Sequence, residues 1–181
     1  FELFKTGRLC PHMHMSLQSG CDSVLKRMRR KYMTNTFADV CSKLRDAVPD
    51  IGLTTDVIVG FPGETDEEFQ ATYNFIKELG FLGLHVFPYS KREGTVAAYM
   101  KNHVDPETKK ERCKKLRELS TELAREFKER QLGSEYEVIA EYSVEGEELL
   151  RGFTANYIPV EFPGNKEMVG KKVKIKLNHL L

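Results

Sequence analysis

Strand patterns and helix patterns alternate through the first half of this 181-residue chain. Residues 12–18 switch strictly between polar and apolar side chains, which is the period of a β-strand. Apolar strand segments follow at 53–61 and 81–89, and each connection has room for an amphipathic helix. Such connections join parallel strands through right-handed crossovers. The first half is therefore predicted to hold three parallel strands, half of a β/α barrel or of an open sheet, with partner strands expected before Phe1.

The segment from Gly133 to the C-terminus has a different pattern. It follows a long helix that is predicted to begin at Asp105, Pro106 and Glu107. Short segments of period two, such as 135–142 and 172–177, are separated by turns that contain glycine or proline. This pattern predicts a small antiparallel β-barrel. Two domains are therefore predicted, at residues 1–132 and 133–181.

Composition limits the function classes open to the chain. The 28 Lys and Arg nearly cancel the 27 Asp and Glu, which excludes a uniformly basic nucleic-acid binder. No apolar run approaches the roughly 18 residues of a membrane-spanning helix. The four cysteines, at irregular spacing, are typical of reduced thiols and not of a disulfide framework. We therefore predict a cytoplasmic protein without a membrane partner.

One face of the first predicted strand carries His12, His14, Ser16 and Gln18. Strands of parallel sheets are usually apolar on both faces. A polar face that points inward needs water or a ligand, because each buried unpaired polar group costs about 1–3 kcal/mol. The alternative is an edge strand whose polar face is solvated. A metal site at Cys10, His12 and His14 is not favoured, because no second group of ligands accompanies them in the sequence.

Asp56 and the turn at residues 60–65 are the next candidates. A carboxylate inside an apolar strand must find a partner or stay near water, so Asp56 predicts either a ligand contact or a structural hydrogen bond. The turn leads into a helix N-terminus, where an anion could bind. Glu64 argues against a phosphate there, so a ligand with an amine or hydroxyl groups fits better.

Basic residues cluster at 26–31 and alternate along 172–176. The first cluster, which includes Arg30, is either a solvated helix face or a phosphate contact. The second places Lys172, Lys174 and Lys176 on one face of a predicted strand, where they either contact RNA phosphates or only solubilise the strand. Stacking and polar contacts are expected nearby from Arg151, Phe153, Asn156 and Tyr157.

Several segments, in order, resemble one enzyme family. They are Cys10–Asp22 with Met28–Tyr32, then Thr55–Thr65, then His85–Thr95. Together they closely resemble the radical S-adenosylmethionine methylthiotransferases, from about Gly7 to the C-terminus. The tail resembles the TRAM domain, a small RNA-binding barrel. The segments Leu9–His12 and Gly152–Tyr157 resemble most the bacterial branch that acts on N6-threonylcarbamoyladenosine in tRNA, while sister branches act on isopentenyladenosine or on a ribosomal protein.

This resemblance implies a reaction, its cofactors and a partner. The parent enzyme is expected to use S-adenosylmethionine and two [4Fe–4S] clusters to insert a methylthio group at C2 of the modified adenosine next to the anticodon of a tRNA. No catalytic residue is assigned. The cofactor-binding residues that it implies are His14, Ser16, Gln18, Ser19, Asp56, Ile58 and Arg92. The residues expected to contact RNA are Arg30, Arg151, Lys172, Lys174 and Lys176.

The cysteines depart from the family pattern. The family binds its radical-generating cluster through C-x-x-x-C-x-x-C, and this chain contains no such spacing. The chain is therefore expected to be the C-terminal part of a longer enzyme, to bind no metal and to be inactive alone, with an open sheet edge that allows self-association. The alternative is a non-catalytic RNA-binding module with an incomplete barrel. An aldolase-type barrel is disfavoured, because the predicted strands offer no Schiff-base lysine.

Overall fold

A computed structural model of the protein describes residues 2–143 and 148–179. Its helices are α1 Glu2–Lys5, α2 Asp22–Arg27, α3 Thr34–Ala47, α4 Asp66–Leu79 and α5 Pro106–Glu129. Its strands are β1 His12–Gln18, β2 Gly52–Val59, β3 Gly83–Pro88, β4 Glu135–Ser143, β5 Leu149–Thr154, β6 Pro159–Pro163 and β7 Lys172–Lys176. None of the described helices combines the length and the apolar character that crossing a membrane requires.

The chain divides into two compact units. The parallel unit contains residues 14–44 and 53–124, and the antiparallel unit contains the described parts of 1–13, 45–52 and 125–181. These units interleave along the sequence, because the chain passes from one to the other several times. A division of the chain between residues 132 and 133 stays a prediction.

Strands β1, β2 and β3 form a three-stranded sheet in that order. Strands β2 and β3 are parallel, in a register that sets Asp56 beside His85. Thr55 links β2 to β1, because its hydroxyl donates to the Met15 carbonyl at 2.5 Å and accepts from the Leu17 amide at 3.0 Å. The predicted parallel α/β arrangement is confirmed.

Helix α4 shows how local signals set the boundaries of an element. The Thr65 hydroxyl accepts from the Glu68 amide at 3.2 Å, and the Glu68 carboxylate accepts from the Thr65 amide at 3.1 Å, which forms a capping box. The helix ends at Gly80, whose φ of +62° is a conformation that glycine adopts at little cost. Its apolar stripe buries Phe69 and Ile76 in the core of the parallel unit.

Strands β4 to β7 form an antiparallel sheet in the order β6-β5-β4-β7. A bulge between Ala140 and Tyr142 interrupts the pairing of β4 with β5, and bulges increase local twist. The outer strands β6 and β7 line one cavity of about 300 Å³, so the sheet curls. Among the described residues no pairing joins β6 to β7. The predicted closed barrel is therefore not confirmed, and a curled antiparallel sheet is observed.

Candidate functional site

A cavity of about 690 Å³ lies in the parallel unit, at the carboxyl ends of the three strands. In open α/β sheets this is the edge where ligands bind. Its lining residues come from the end of β1, from β2 and from β3 with the loop that follows, and they are Gln18, Asp56, Ile58, Phe87, Pro88, Tyr89, Ser90, Arg92, Thr95 and Ala97. Four residues that the sequence predicts as cofactor contacts therefore share one cavity: Gln18, Asp56, Ile58 and Arg92.

The strand period explains why residues of β2 and β3 face the same cavity. Asp56 and Ile58 are two residues apart and therefore lie on one face of β2. The parallel register places Ile58 beside Phe87, which adds an aromatic wall. The family resemblance implies that the strand at Phe87 to Ser90 closes the cofactor site on this side, and these residues line the cavity.

Gln18 ends β1 in an unusual conformation. Its φ is +69°, a left-handed value that is uncommon for residues other than glycine. The side chain is 8% exposed and lines the cavity. The next residue, Ser19, is fully buried, and its hydroxyl lies 3.1 Å from the hydroxyl of Thr72 on α4. Ser19 therefore anchors the turn that holds Gln18 in place.

Asp56 is the centre of a polar network on the sheet face. Its carboxylate accepts a hydrogen bond from the Ser16 hydroxyl at 2.8 Å and lies 3.1 Å from His14 Nε2. A second histidine, His85, places Nδ1 at 3.2 Å from the other carboxylate oxygen. Burial raises the pKa of Asp56, but hydrogen bonds from Ser16 and His14 outweigh it and hold the pKa below its ordinary value.

This network explains the polar face of β1. His14 and Ser16 are neither orphaned nor simply solvated, because Asp56 of the neighbouring strand pairs with both. The sequence analysis missed His85 as a site residue. The signal that could have found it is the register of two parallel strands, which neither strand reveals alone.

The cavity fits S-adenosylmethionine in size and chemistry. Its volume lies within the roughly 300–1,000 Å³ of small-molecule sites. Ile58 and Phe87 offer apolar walls, and Arg92 offers a cation for a carboxylate. The hydroxyl of Tyr89, on the same wall, is buried without a hydrogen-bond partner in the described part of the chain.

The turn at residues 60–65 does not offer Glu64 as an open acceptor. The Glu64 carboxylate accepts from the Gly60 amide at 2.9 Å and from Arg112 at 2.7 Å. Burial raises the pKa of Glu64 above its ordinary value, against the opposing hydrogen bonds from Gly60 and Arg112. Glu64 therefore holds the turn together from inside the protein.

The four cysteines lie in different surroundings. Cys10 is exposed and Cys21 partly exposed, whereas Cys41 and Cys113 are buried. None of them belongs to a group of three or more potential metal ligands in residues 2–143 and 148–179. The sequence shows no second group of ligands beside Cys10, His12 and His14, but the fold brings Asp56 and His85 to His14 from two other strands.

The basic residues predicted to contact RNA have acidic neighbours. Arg151 forms an ion pair with Glu161. Lys172 lies 3.3 Å from Glu137, and the β4–β7 register sets Lys174 opposite Glu137 and Lys176 opposite Glu135. The three lysines are exposed on one face, as expected, but the face is not a bare positive stripe. Arg30 is exposed after α2 and is not among the residues that line the cavity of the parallel unit.

Three rings stack in the antiparallel unit. The Tyr157 ring lies 4.5 Å from that of His12 and 4.8 Å from that of Phe153, centroid to centroid. Tyr157 is 51% exposed, so part of the stack faces water. Asn156 is 1% exposed and donates to the Asp50 carbonyl at 3.1 Å, which makes it a structural contact.

Comparisons with known proteins find radical SAM proteins and tRNA methylthiotransferases. The profile of the Radical SAM superfamily matches residues 1–76. Threonylcarbamoyladenosine tRNA methylthiotransferase MtaB of Bacillus subtilis (strain 168) is 49% identical over 97% of this chain and 40% of its own length. The enzyme of the same name from Thermotoga maritima is 44% identical over 93% of this chain and 39% of its own length. A tRNA-2-methylthio-N(6)-dimethylallyladenosine synthase of Bacillus cereus (strain B4264) is 43% identical over 97% of this chain and 35% of its own length.

The chain thus spans about two fifths of the length of these curated relatives. Among solved structures, coproporphyrinogen III oxidase (HemN) from Escherichia coli, a radical SAM enzyme, has a TM-score of 0.53 and 15% identity. That match covers 80% of this chain and 41% of the other, and it supports the fold alone.

Proposed function

Because the chain is related to the radical SAM tRNA methylthiotransferases over most of its length, we propose that it forms one side of the S-adenosylmethionine site in such an enzyme. We propose further that the whole enzyme acts in the cytoplasm on N6-threonylcarbamoyladenosine in tRNA. The names of the Bacillus subtilis and Thermotoga maritima relatives support that substrate. The observation that carries the proposal is the cavity lined by Gln18, Asp56, Ile58 and Arg92.

Each wall of the cavity has a role in this proposal. Ile58 and Phe87 flank the adenine, while Arg92 binds the carboxylate of the methionine part. Asp56 accepts from the ribose, because three donors leave one of its roughly four acceptor positions open. S-adenosylmethionine supplies the radical chemistry, and the residues of this chain bind and orient it. The [4Fe–4S] clusters of the family need cysteines other than the four in this chain.

Binding of S-adenosylmethionine to the full chain tests this proposal. Equilibrium dialysis should show saturable binding that Arg92→Gln and Ile58→Gln each weaken at least about tenfold, which corresponds to about 1.4 kcal/mol. Lys110→Gln is the matched control, since Lys110 is an exposed residue on α5 that does not line the cavity. Binding that neither cavity variant weakens would place the cofactor elsewhere.

A second candidate is an RNA-binding module without catalysis. The stack of His12, Tyr157 and Phe153 favours it, because exposed aromatic rings bind unpaired bases with little sequence preference. The two candidates separate in one comparison: RNA binding without any S-adenosylmethionine binding would favour the module. Saturable binding of both ligands would favour the enzyme, with tRNA as its partner.

Self-association through β1 is part of the proposal, because β1 is an outer strand of its sheet. Unpaired strand edges are templates for further pairing. Tyr32 covers the C-terminal end of this edge, since its hydroxyl donates to the Ser16 carbonyl at 2.7 Å and reaches the Leu17 carbonyl at 3.0 Å. Light scattering should therefore show more association for Tyr32→Phe than for the wild-type chain. Monomers at all concentrations for both proteins would contradict this part.

A further inference from the structure

Three potential metal ligands meet on the face of the parallel sheet. His14 lies on β1, Asp56 on β2 and His85 on β3, so each strand contributes one ligand. Their ligand atoms all lie within 4.8 Å of one another. Strands position ligands more rigidly than loops do, because the sheet fixes their backbones.

Two of the distances within the group are close to an edge of a zinc coordination sphere. Zinc binds imidazole nitrogen and carboxylate oxygen at about 2.0–2.1 Å, so two ligand atoms of a tetrahedral site lie about 3.3 Å apart. His14 Nε2 lies 3.1 Å from Asp56 Oδ2, and His85 Nδ1 lies 3.2 Å from Asp56 Oδ1. The ligand atoms of the three groups lie within 4.8 Å of one another, so binding of one ion would draw them closer together.

Neighbouring residues hold the ligands in orientation. Thr54 Oγ1 lies 3.0 Å from His14 Nδ1, which turns the other ring nitrogen toward Asp56. Ser16 donates to the Asp56 carboxylate at 2.8 Å. Metal-binding histidines usually have such a partner on the second nitrogen, and ligating carboxylates are usually hydrogen-bonded.

Water reaches the group, so an ion can enter and keep an open position. The side chains of His14, Asp56 and His85 are 38%, 24% and 62% exposed. We propose that these three residues bind one Zn²⁺ ion, with water as the fourth ligand. Two imidazoles and one carboxylate form a ligand set known from zinc enzymes, and it differs from the thiolate set that binds iron–sulfur clusters.

The proposal shares Asp56 with the proposed cofactor site, but it is tested separately from that site. Zinc binding is measured without S-adenosylmethionine, so failure of either proposal leaves the other standing. Asp56 belongs to both, and it is therefore not used as a test residue. Thiols are also zinc ligands, so the variant Cys10→Ser with Cys21→Ser serves as the background protein and removes the exposed and the partly exposed thiol as competing ligands.

Calorimetric titration of this background with Zn²⁺ should show one ion per chain. His14→Ala and His85→Ala should each weaken binding more than about 100-fold, and Thr54→Val by about 10–100-fold as an outer partner. His103→Ala is the matched control, since His103 stacks on Tyr89 and does not belong to the group. Nuclear magnetic resonance should show the ring signals of His14 and His85 shifting with zinc while those of His103 do not.

The test does not depend on whether the histidine variants fold, because the ring signals are also measured in the background protein, where His14 and His85 are intact. The proposal is overturned if the background protein takes up no zinc. It is also overturned if the ring signals of His14 and His85 stay unchanged at saturation.

Discussion

The two units use polar residues on their strands in opposite ways. In the parallel unit, side chains from the two neighbouring strands converge on one carboxylate, that of Asp56 on β2. In the antiparallel unit, charged side chains meet an oppositely charged neighbour across the sheet, as Lys172 meets Glu137 and Arg151 meets Glu161. The parallel unit therefore gathers several polar groups around one carboxylate, while the antiparallel unit neutralises charges in separate pairs.

The difference follows from strand direction. In the parallel sheet, residues of neighbouring strands lie side by side on one face, as Asp56 lies beside His85, so polar residues of several strands can meet there. Antiparallel strands set residues directly opposite one another, and opposite charges in such pairs are favourable. A run of lysines in the sequence therefore says little about the local field until the neighbouring strand is known.

The largest effect that we predict concerns the buried ion pair of the parallel unit. Arg112→Met should lower the free energy of unfolding by about 3–5 kcal/mol, because it leaves the Glu64 carboxylate buried without its cation. Lys114→Met on the same helix breaks an exposed pair with Glu118 and should cost less than about 1 kcal/mol. Urea unfolding measures both. Equal losses would mean that burial does not distinguish the two pairs.

The next effect is a dependence of the free energy of unfolding on pH. The pKa of Glu68 falls from 4.5 to about 2, with the hydrogen bonds from Arg27 as its largest cause. A lowered carboxyl pKa stabilises the fold above pH 4.5, and this stabilisation is lost as the pH falls toward 2. Glu68→Gln should therefore cost about 2 kcal/mol at pH 7 and progressively less between these pH values.

Unfolding by urea at several pH values checks this prediction. Glu78→Gln changes an exposed carboxylate on the same helix and should shift the free energy of unfolding by less than about 0.5 kcal/mol. A cost for Glu68→Gln that is the same at pH 3 and pH 7 would contradict the proposed ion pair.

A smaller effect is expected from the aromatic stack of the antiparallel unit. Tyr157→Leu should weaken binding of single-stranded RNA by at least about 1 kcal/mol, the lower end of the contribution of one stacked base. Tyr99→Leu is the control, because Tyr99 is 79% exposed and lies in the parallel unit. Fluorescence anisotropy measures both affinities. An equal loss for the two variants would indicate unspecific contacts.

The smallest effects concern the paired lysines. Replacing Lys172, Lys174 and Lys176 by Gln should reduce the slope of log RNA affinity against log salt concentration by at most about two to three. The reduction should be smaller where glutamates already neutralise the lysines. Glu137→Gln should act in the opposite direction and steepen it, because it frees the charge of Lys172. If neither change alters the slope, the lysines serve only solubility, as the alternative interpretation holds.

Much of the candidate site was predictable, but the contact between Asp56 and His85 was not. The strand period and the family resemblance pointed to Gln18, Asp56, Ile58 and Arg92, which share one cavity. Neither pointed to His85, because its contact with Asp56, 29 positions away, depends on the register of β2 and β3. The predicted closed barrel is not confirmed for a related reason, since closure depends on whether β6 and β7 meet.

The sequence by itself determined the local elements. Strand β1 at His12–Gln18 follows from its strict alternation, and the start of α4 follows from Thr65 and Glu68 three residues apart. Such signals suffice because the hydrogen bonds that they describe span only a few residues. The tertiary structure alone decided that Glu64 pairs with Arg112, 48 positions away. Burial and strand register bring such partners together, and a local pattern carries no record of either.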